Sequence, residues 1–296
     1  MSRPILTTGT FDGVHFGHKI IIERLKEIAR NQNGESVLLT FSPHPRMVLF
    51  PDDHQLQLIN TMEEKINLLE KAGIDHLIIH PFTKAFSRTT SMQFVRDIIV
   101  NQLKTHKLVI GYNHHFGRNR EGSFEHLKEF APLYGFEVEE ISAQVIDDVS
   151  ISSTKIRKAL LSGNVSKAAE YLGYEYPLQG LVTQGKKIGR TIGFPTANLS
   201  VLDETKLIPK DGAYAVKVAH NGQTFKGILN IGNNPTVNGQ QRSIEVHIFD
   251  FNLTIYKEFL SVYFVCRLRH EVIFNDLNEL QNQLQKDKEN ALEILR

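Results

Sequence analysis

Residues 9–18 read Gly-Thr-Phe-Asp-Gly-Val-His-Phe-Gly-His, a run whose residue types suit one task. Gly9, Gly13 and Gly17 permit a tight turn and let a ligand approach bare backbone, with Thr10, Phe11 and Asp12 filling the turn between them. A short apolar stretch, 5–8, precedes it, and Ile21, Leu25 and Ile28 follow at helical spacing. The turn therefore runs into a helix N-terminus, where free N–H groups and the positive dipole end favour an anion. His15 and His18, three apart, project from one side of the first helical turn. Two imidazoles, a helix start and exposed backbone suit a phosphoryl group that gains charge in a transition state. Two plainer readings stand beside this one. The histidines can be surface residues on an ordinary turn, or a metal pair, although no third ligand stands at a recognisable spacing.

Residues 151–157 read Ile-Ser-Ser-Thr-Lys-Ile-Arg. Ser152 or Ser153 alone is an ordinary helix cap. Lys155 and Arg157, however, are disfavoured in a first helical turn unless an anion is present. A triphosphate supplies one, with Arg157 in bidentate contact.

A second constellation lies further on. Residues 180–187 come close to a P-loop, but Lys187 stands where Ser or Thr must hold the metal and no amphipathic helix follows, which excludes it. Instead a flexible basic loop carrying Gly185, Lys187 and Gly189 leads into Thr196 and Asn198. Two residues apart, these face one side of an extended chain. Their hydroxyl and amide oxygens are hard donors for a phosphate-bound magnesium ion, while a turn-rich hairpin explains the same residues without one. Glu245 alternates with Ile244 and Val246 and shares a strand face with His247. A solvated face and a general base that accepts a hydroxyl proton both account for it.

Positioning these groups requires two scaffolds. At roughly 150 residues per domain, the 296 residues suggest two domains. Residues 1–165 alternate strand and helix patterns: strands at 5–8, 37–41, 74–79, 108–110 and 136–141, helices at 62–72, 91–103 and 125–134. Thr61 with Glu64 forms a capping box that opens one helix. Near-continuous apolar strands predict an α/β, doubly wound parallel sheet, whose ligands bind beyond the carboxyl ends of the strands. Residues 178–270 lose helical periodicity. Asn221-Gly222 between 214–218 and 225–229 marks a hairpin, Asn238-Gly239 precedes a strand at 244–249, and 259–267 forms another. Short strands with regular turns predict a small barrel, closed by a helix that Asp276 and Glu279 cap. The boundary is expected at Gly173–Pro177, giving domains 1–173 and 177–296.

Hydrophobic residues make up 41% and charged residues 23%, as in globular proteins that bury real cores. Lys and Arg number 34 against 33 Asp and Glu, so no sequence-wide field favours a nucleic acid or a membrane surface, and neither partner is expected. The lone Cys266 excludes an internal disulfide framework and reads as a buried strand thiol rather than a nucleophile. No apolar run approaches the roughly 20 residues of a membrane helix, and no signal-peptide pattern opens the chain. A cytoplasmic protein is expected.

Taken together, the motifs resemble a known family. The His-x-Gly-His turn with the downstream Ser-Ser-Thr-x-Ile-Arg resembles the nucleotidyltransferase superfamily. Gly9–His18, with residues 40–45 (Thr-Phe-Ser-Pro-His-Pro) and 111–117 (Gly-Tyr-Asn-His-His-Phe-Gly), looks like the FAD synthetase module of bacterial bifunctional riboflavin kinase/FAD synthetases. Residues 189–198 followed by 244–247 closely resemble the riboflavin kinase fold, a six-stranded antiparallel barrel with a C-terminal helix. The resemblance implies that riboflavin is phosphorylated by ATP to FMN, and that FMN is adenylylated to FAD with magnesium serving both steps. It implies that His15 and His18 steady the α-phosphate and the departing pyrophosphate. Residues 9–13, Gly17, Asn113, Ser153, Thr154 and Arg157 would hold that ATP. Gly185, Lys187, Gly189, Thr196 and Asn198 would hold the kinase's Mg-ATP, and Glu245 would deprotonate the ribityl hydroxyl. Arg269, Glu271 and Phe274, in a segment similar to the family's flavin-proximal loop, become candidate flavin contacts.

Overall fold

β1 (Pro4–Thr8) is buried along its whole length, as a strand covered on both faces must be. It belongs to a computed structural model that describes residues 1–296 except 53–55, 113, 143–150, 186–187 and 237–238; the side chains of 188, 233–236 and 239–241 are also left aside. By packing, the described residues form two compact units, Met1–Ser153 and Thr154–Arg296.

In the first unit α1 (Phe16–Asn31), β2 (Glu35–Ser42), α2 (Pro45–Leu49), α3 (Met62–Lys71) and β3 (His76–Pro81) follow β1. Then come α4 (Ser91–Gln93), which continues as a π-helix over Phe94–Gln102, β4 (Lys107–Gly111), α5 (Phe124–Tyr134) and β5 (Glu137–Ile141). The five strands form a parallel sheet ordered β3-β2-β1-β4-β5. The chain leaves β1 towards one edge, then returns to its other side with β4. That switch point opens a crevice at the carboxyl ends of β1 and β4. Ile22 and Leu25 of α1 are fully buried, each worth roughly 1.5–3 kcal/mol of apolar burial. The capping box of Thr61 and Glu64 is formed. The segment expected as one α-helix over 91–103 differs: Leu103 N–H donates to Ile98 O at 2.9 Å, five residues back. The widened turn lets Phe94, Val95, Ile98 and Ile99 all enter the core.

The second unit, from Thr154, takes in all but the first residue of α6 (Ser153–Ser162), then α7 (Val165–Leu172), β6 (Tyr176–Thr183), α8 (Ile188–Thr191), β7 (Ala197–Ser200), β8 (Gly212–His220), β9 (Gln223–Thr236), β10 (Gly239–Ile248), β11 (Phe259–Arg269) and α9 (Leu277–Ile294). The six strands close into a barrel ordered β10-β7-β6-β11-β8-β9. Asn221 and Gly222, both at positive φ (47° and 78°), make the β8–β9 hairpin that an Asn-Gly pair favours. The packing boundary precedes the turn at Gly173–Pro177 because α7 lies on the barrel strands: Ser166 Oγ donates to Val265 O at 2.9 Å, and Val165, Ala168 and Leu172 are buried. Ala215 and Ile228 on the barrel's outer face pack against Ala291 and Leu295 of the closing helix. Among the described residues, no helix is long and apolar enough to cross a membrane.

Candidate active sites

In the first unit the turn after β1 is held from several sides. Gly9 N–H donates to Leu39 O (3.0 Å), Thr40 Oγ1 donates to Thr10 O (3.2 Å), and Ser153 Oγ donates to Asp12 O (2.9 Å). The buried Asp12 carboxylate accepts the backbone N–H groups of Ile59 (3.0 Å) and Asn60 (3.3 Å). Asp12 therefore anchors the turn to the segment before α3. Phe11, Gly13 and Val14 sit at φ of 46°, 93° and 35°, a left-handed path that only a well-braced loop sustains. His15 is the N-cap residue of α1, and its ring stacks on that of His18 at 3.7 Å, 15° from parallel. The two histidines are thus one unit, with Gly17 buried between them. Burial, then the neighbouring charges of His15 and Lys65, hold the His18 pKa well below the ordinary imidazole range. His18 Nδ1 is buried with no hydrogen-bond partner among the described residues.

His18 lines a cavity of about 1100 Å³ at the carboxyl end of the sheet, together with Gly9, Thr10 and Phe11. Its walls include Phe41, Phe82, Phe86, Phe94 and Phe116, with Arg88, Arg118 and Arg120 on other parts. A flat apolar ring and an anionic tail both find complementary surface there. His114, also in the wall, has its pKa pulled down to about 4 by burial and by the nearby His115 and Arg120. Asn113 lies outside the described residues. Thr154 and Arg157 follow Ser153 on α6.

In the second unit the expected residues fall on one row of the barrel. Direct antiparallel partners run Thr183, Asn198, Glu245, Asn230, Ala213, Arg269, from β6 through β7, β10, β9 and β8 to β11. Glu245 thus stands opposite Asn198, and its Oε2 accepts a hydrogen bond from Thr196 Oγ1 at 3.1 Å. A Cβ on Gly185 would lie 2.1 Å from Asn198 Nδ2, and one on Gly189 2.1 Å from Phe194 O. Gly185 therefore lies directly against Asn198, and Gly189 beside Phe194 and Thr196. Lys187 lies outside the described residues, as does Asn238. Beside Thr196 a cavity of about 70 Å³ is lined by Val182, Arg190, Pro195 and Tyr256. His247, on the same face as Glu245, bonds through Nδ1 to Pro195 O at 2.7 Å and is held below the usual pKa mainly by burial.

The three flavin candidates separate. Arg269 pairs with the buried Asp287 of α9 at 2.8 Å rather than with Glu271, and lies over the Phe274 ring at 5.6 Å. Glu271 instead reaches across the barrel end: a Cβ on Gly232 would meet its Oε1 at 2.2 Å and Asn230 Nδ2 at 3.1 Å. Sequence reasoning did not single out Asn230, Lys65 or Asp287. No motif marks them, and only strand register or helix packing brings them to the sites.

A family model for FAD synthetase matches residues 2–155, and one for riboflavin kinase matches residues 172–295. A protein of Listeria monocytogenes described as bifunctional riboflavin kinase/FMN adenylyltransferase is 39% identical over 288 residues, covering 97% of this chain and 91% of its own. A protein of Haemophilus influenzae with the same description is 37% identical, covering 97% of this chain and 92% of its own. A crystal structure from Streptococcus pneumoniae, described as a macrolide-efflux protein, superposes with a TM-score of 0.89 at 33% identity, covering 98% of this chain and 94% of that one.

Proposed function

The chain belongs to the bifunctional riboflavin kinase/FMN adenylyltransferase family, and we propose that its two sites divide the work as follows. The enzyme phosphorylates riboflavin with ATP to give FMN, then joins FMN to the AMP part of a second ATP, giving FAD and pyrophosphate. The observation that carries the kinase assignment is Glu245, opposite Asn198 and hydrogen-bonded to Thr196.

Kinase chemistry falls to the barrel. The Glu245 carboxylate accepts the proton of the ribityl 5′-hydroxyl as that oxygen bonds to the γ-phosphorus and ADP leaves. Thr196, by donating to the carboxylate, fixes its orientation towards the hydroxyl. Magnesium is the metal that fits. Thr196, Asn198 and Glu245 present only hard oxygens, and no trio of His, Cys, Asp or Glu able to hold a metal by itself occurs among the described residues. Thr196 and Asn198 would hold the ion jointly with phosphate oxygens. Such an ion would supply positive charge to offset the negative charge that develops on the phosphates. Gly185, Lys187 and Gly189 cover the nucleotide; Arg269, Glu271 and Phe274 lie at the flavin end.

Adenylyl transfer falls to the cavity of the first unit, within an adenylyltransferase domain of residues 1–173, with the kinase domain over 177–296. A phosphate oxygen of FMN attacks the α-phosphorus and pyrophosphate departs, so no protein nucleophile is required. His18, uncharged at neutral pH, offers one ring N–H to the phosphates, and His15 stacked beneath it fixes its orientation. Gly9–Gly13 and Gly17 present backbone, while Ser153, Thr154 and Arg157, with Asn113, attend the ATP. Riboflavin, FMN and ATP are the partners this reading needs, in the cytoplasm. Riboflavin supplied with Mg-ATP, with FMN, FAD, ADP and AMP resolved by chromatography, tests both halves. Absence of FAD when FMN is supplied directly would remove the adenylyl-transfer half.

A further inference from the structure

Lys65 stands on α3, outside every motif described above, yet it is buried to 5% exposure directly behind the phosphate-facing turn. Its Nζ donates to the Thr10 carbonyl at 2.7 Å. Thr40 Oγ1 donates to the same oxygen from β2 at 3.2 Å. With both lone pairs engaged, that carbonyl is drawn back into the protein. A carbonyl facing forward would present a negative dipole to an incoming triphosphate; drawn back, it leaves the forward side to donors. A buried ammonium without a counter-charge is costly. Burial lowers the Lys65 pKa, and the Asp12 carboxylate opposes that shift. Asp12 in turn holds the Ile59 and Asn60 N–H groups, next to the start of α3. The turn, the preceding segment and α3 are therefore joined through one lysine and one aspartate.

We propose that Lys65 is a positioning residue for adenylyl transfer, holding the Thr10 carbonyl away from the phosphates and setting a fixed positive charge behind the His15–His18 pair. The proposal rests on the adenylyl-transfer reading of that turn for its effect on rate, but not for its effect on His18. The charged or titratable groups that face His18 are His15 from the helix start and Lys65 from α3, with Asp12 beside Lys65. Positive charge at either position disfavours a proton on His18, so that ring stays neutral and keeps its donor role.

The test uses the full chain with Lys65→Met, which removes both bond and charge, and Lys65→Gln, which keeps a donor for Thr10 without charge. FMN formation by the barrel unit reports that each variant is intact. In Lys65→Met, kcat for FAD formation is expected to fall about tenfold or more, with KM for ATP changed less than about twofold. Lys65→Gln is expected to recover part of that loss. In both variants the His18 ring, followed by NMR titration, is expected to gain about half a pKa unit or more. A kcat within about twofold of the parent in Lys65→Met would overturn the positioning role. Loss of FAD formation with the His18 titration unmoved would reduce Lys65 to a core filler and would also overturn it. Should Lys65→Met not fold, Lys65→Gln carries the same titration. A parent chain unable to convert FMN would sink the adenylyl-transfer reading, while the titration would still judge the electrostatic link.

Discussion

Glu245 and His18 allow the two reactions to be separated by single substitutions. Glu245→Ala is expected to cut FMN formation by about a hundredfold or more while FAD formation from supplied FMN continues. His18→Ala is expected to do the reverse at a similar scale; equal damage to both activities in a folded chain would refute the two-site assignment. A second expectation concerns acid. His114 has its folded pKa lowered to about 4 by burial, then by His115 and Arg120, whereas the unfolded chain titrates near 6.5. The unfolded state therefore binds the extra proton first as pH falls. Stability from this group is complete above pH 6.5 and drains away down to about 4, by at most roughly 3 kcal/mol. His18 acts in the same direction. Thermal unfolding of the first unit should thus move down between pH 7 and 5, and His114→Phe should flatten that dependence. An unchanged slope would show that this imidazole is not neutral in the folded protein. The types of these residues were visible in the sequence. Their environments were not, because stacking at 3.7 Å and burial arise only when distant chain segments meet.

Among elements, the closing helix is tied to the barrel at its middle. Arg269 donates from Nε to the Asp287 carboxylate at 2.9 Å, and Gln283 donates to the same group at 2.8 Å. Removing one partner of a buried charge pair costs about 3–5 kcal/mol. Asp287→Ala should accordingly lower the unfolding temperature of the second unit and weaken FMN formation, leaving FAD formation from FMN intact. The glycine loop offers a subtler probe. Gly185→Ala sets a methyl group against the Asn198 amide, so Mg-ATP affinity of the kinase should fall about tenfold, a cost typical of modest overpacking, seen as a raised KM with little change in folding. Capping residues such as Thr61 with Glu64 and Asp276 with Glu279 made helix starts legible, and Asn221-Gly222 made a hairpin legible. The π-helix at Phe94–Gln102 was not, since its hydrophobic pattern is also that of an α-helix. Helix α7 and strand β6 were not legible either, because both are short and the turn residues at Gly173–Pro177 interrupt the pattern between them.

For the molecule as a whole, the consequence of two separate sites is that FMN, the product of one, must reach the other. A mixture of Glu245→Ala and His18→Ala chains should therefore turn riboflavin into FAD, after a lag in which FMN accumulates. A mixture that makes FMN and no FAD would mean that the intermediate does not pass through solvent. The parallel sheet, the barrel and their order along the chain were readable because alternation of period 3.6 with buried strands gives way at one place to hairpin chemistry. Which strands meet to close the barrel was not readable, since turn signals mark strands but not their distant neighbours. That closure has its own significance. Glu245 meets Asn198 only because β10 bonds to β7, strands separated in sequence by two others. A slip of one residue in this seam would turn the carboxylate inward and its apolar neighbours outward. On the proposed reading, phosphate transfer by the barrel would consequently report on assembly itself, since a chain that mispaired this seam would lose the carboxylate from its place opposite Asn198.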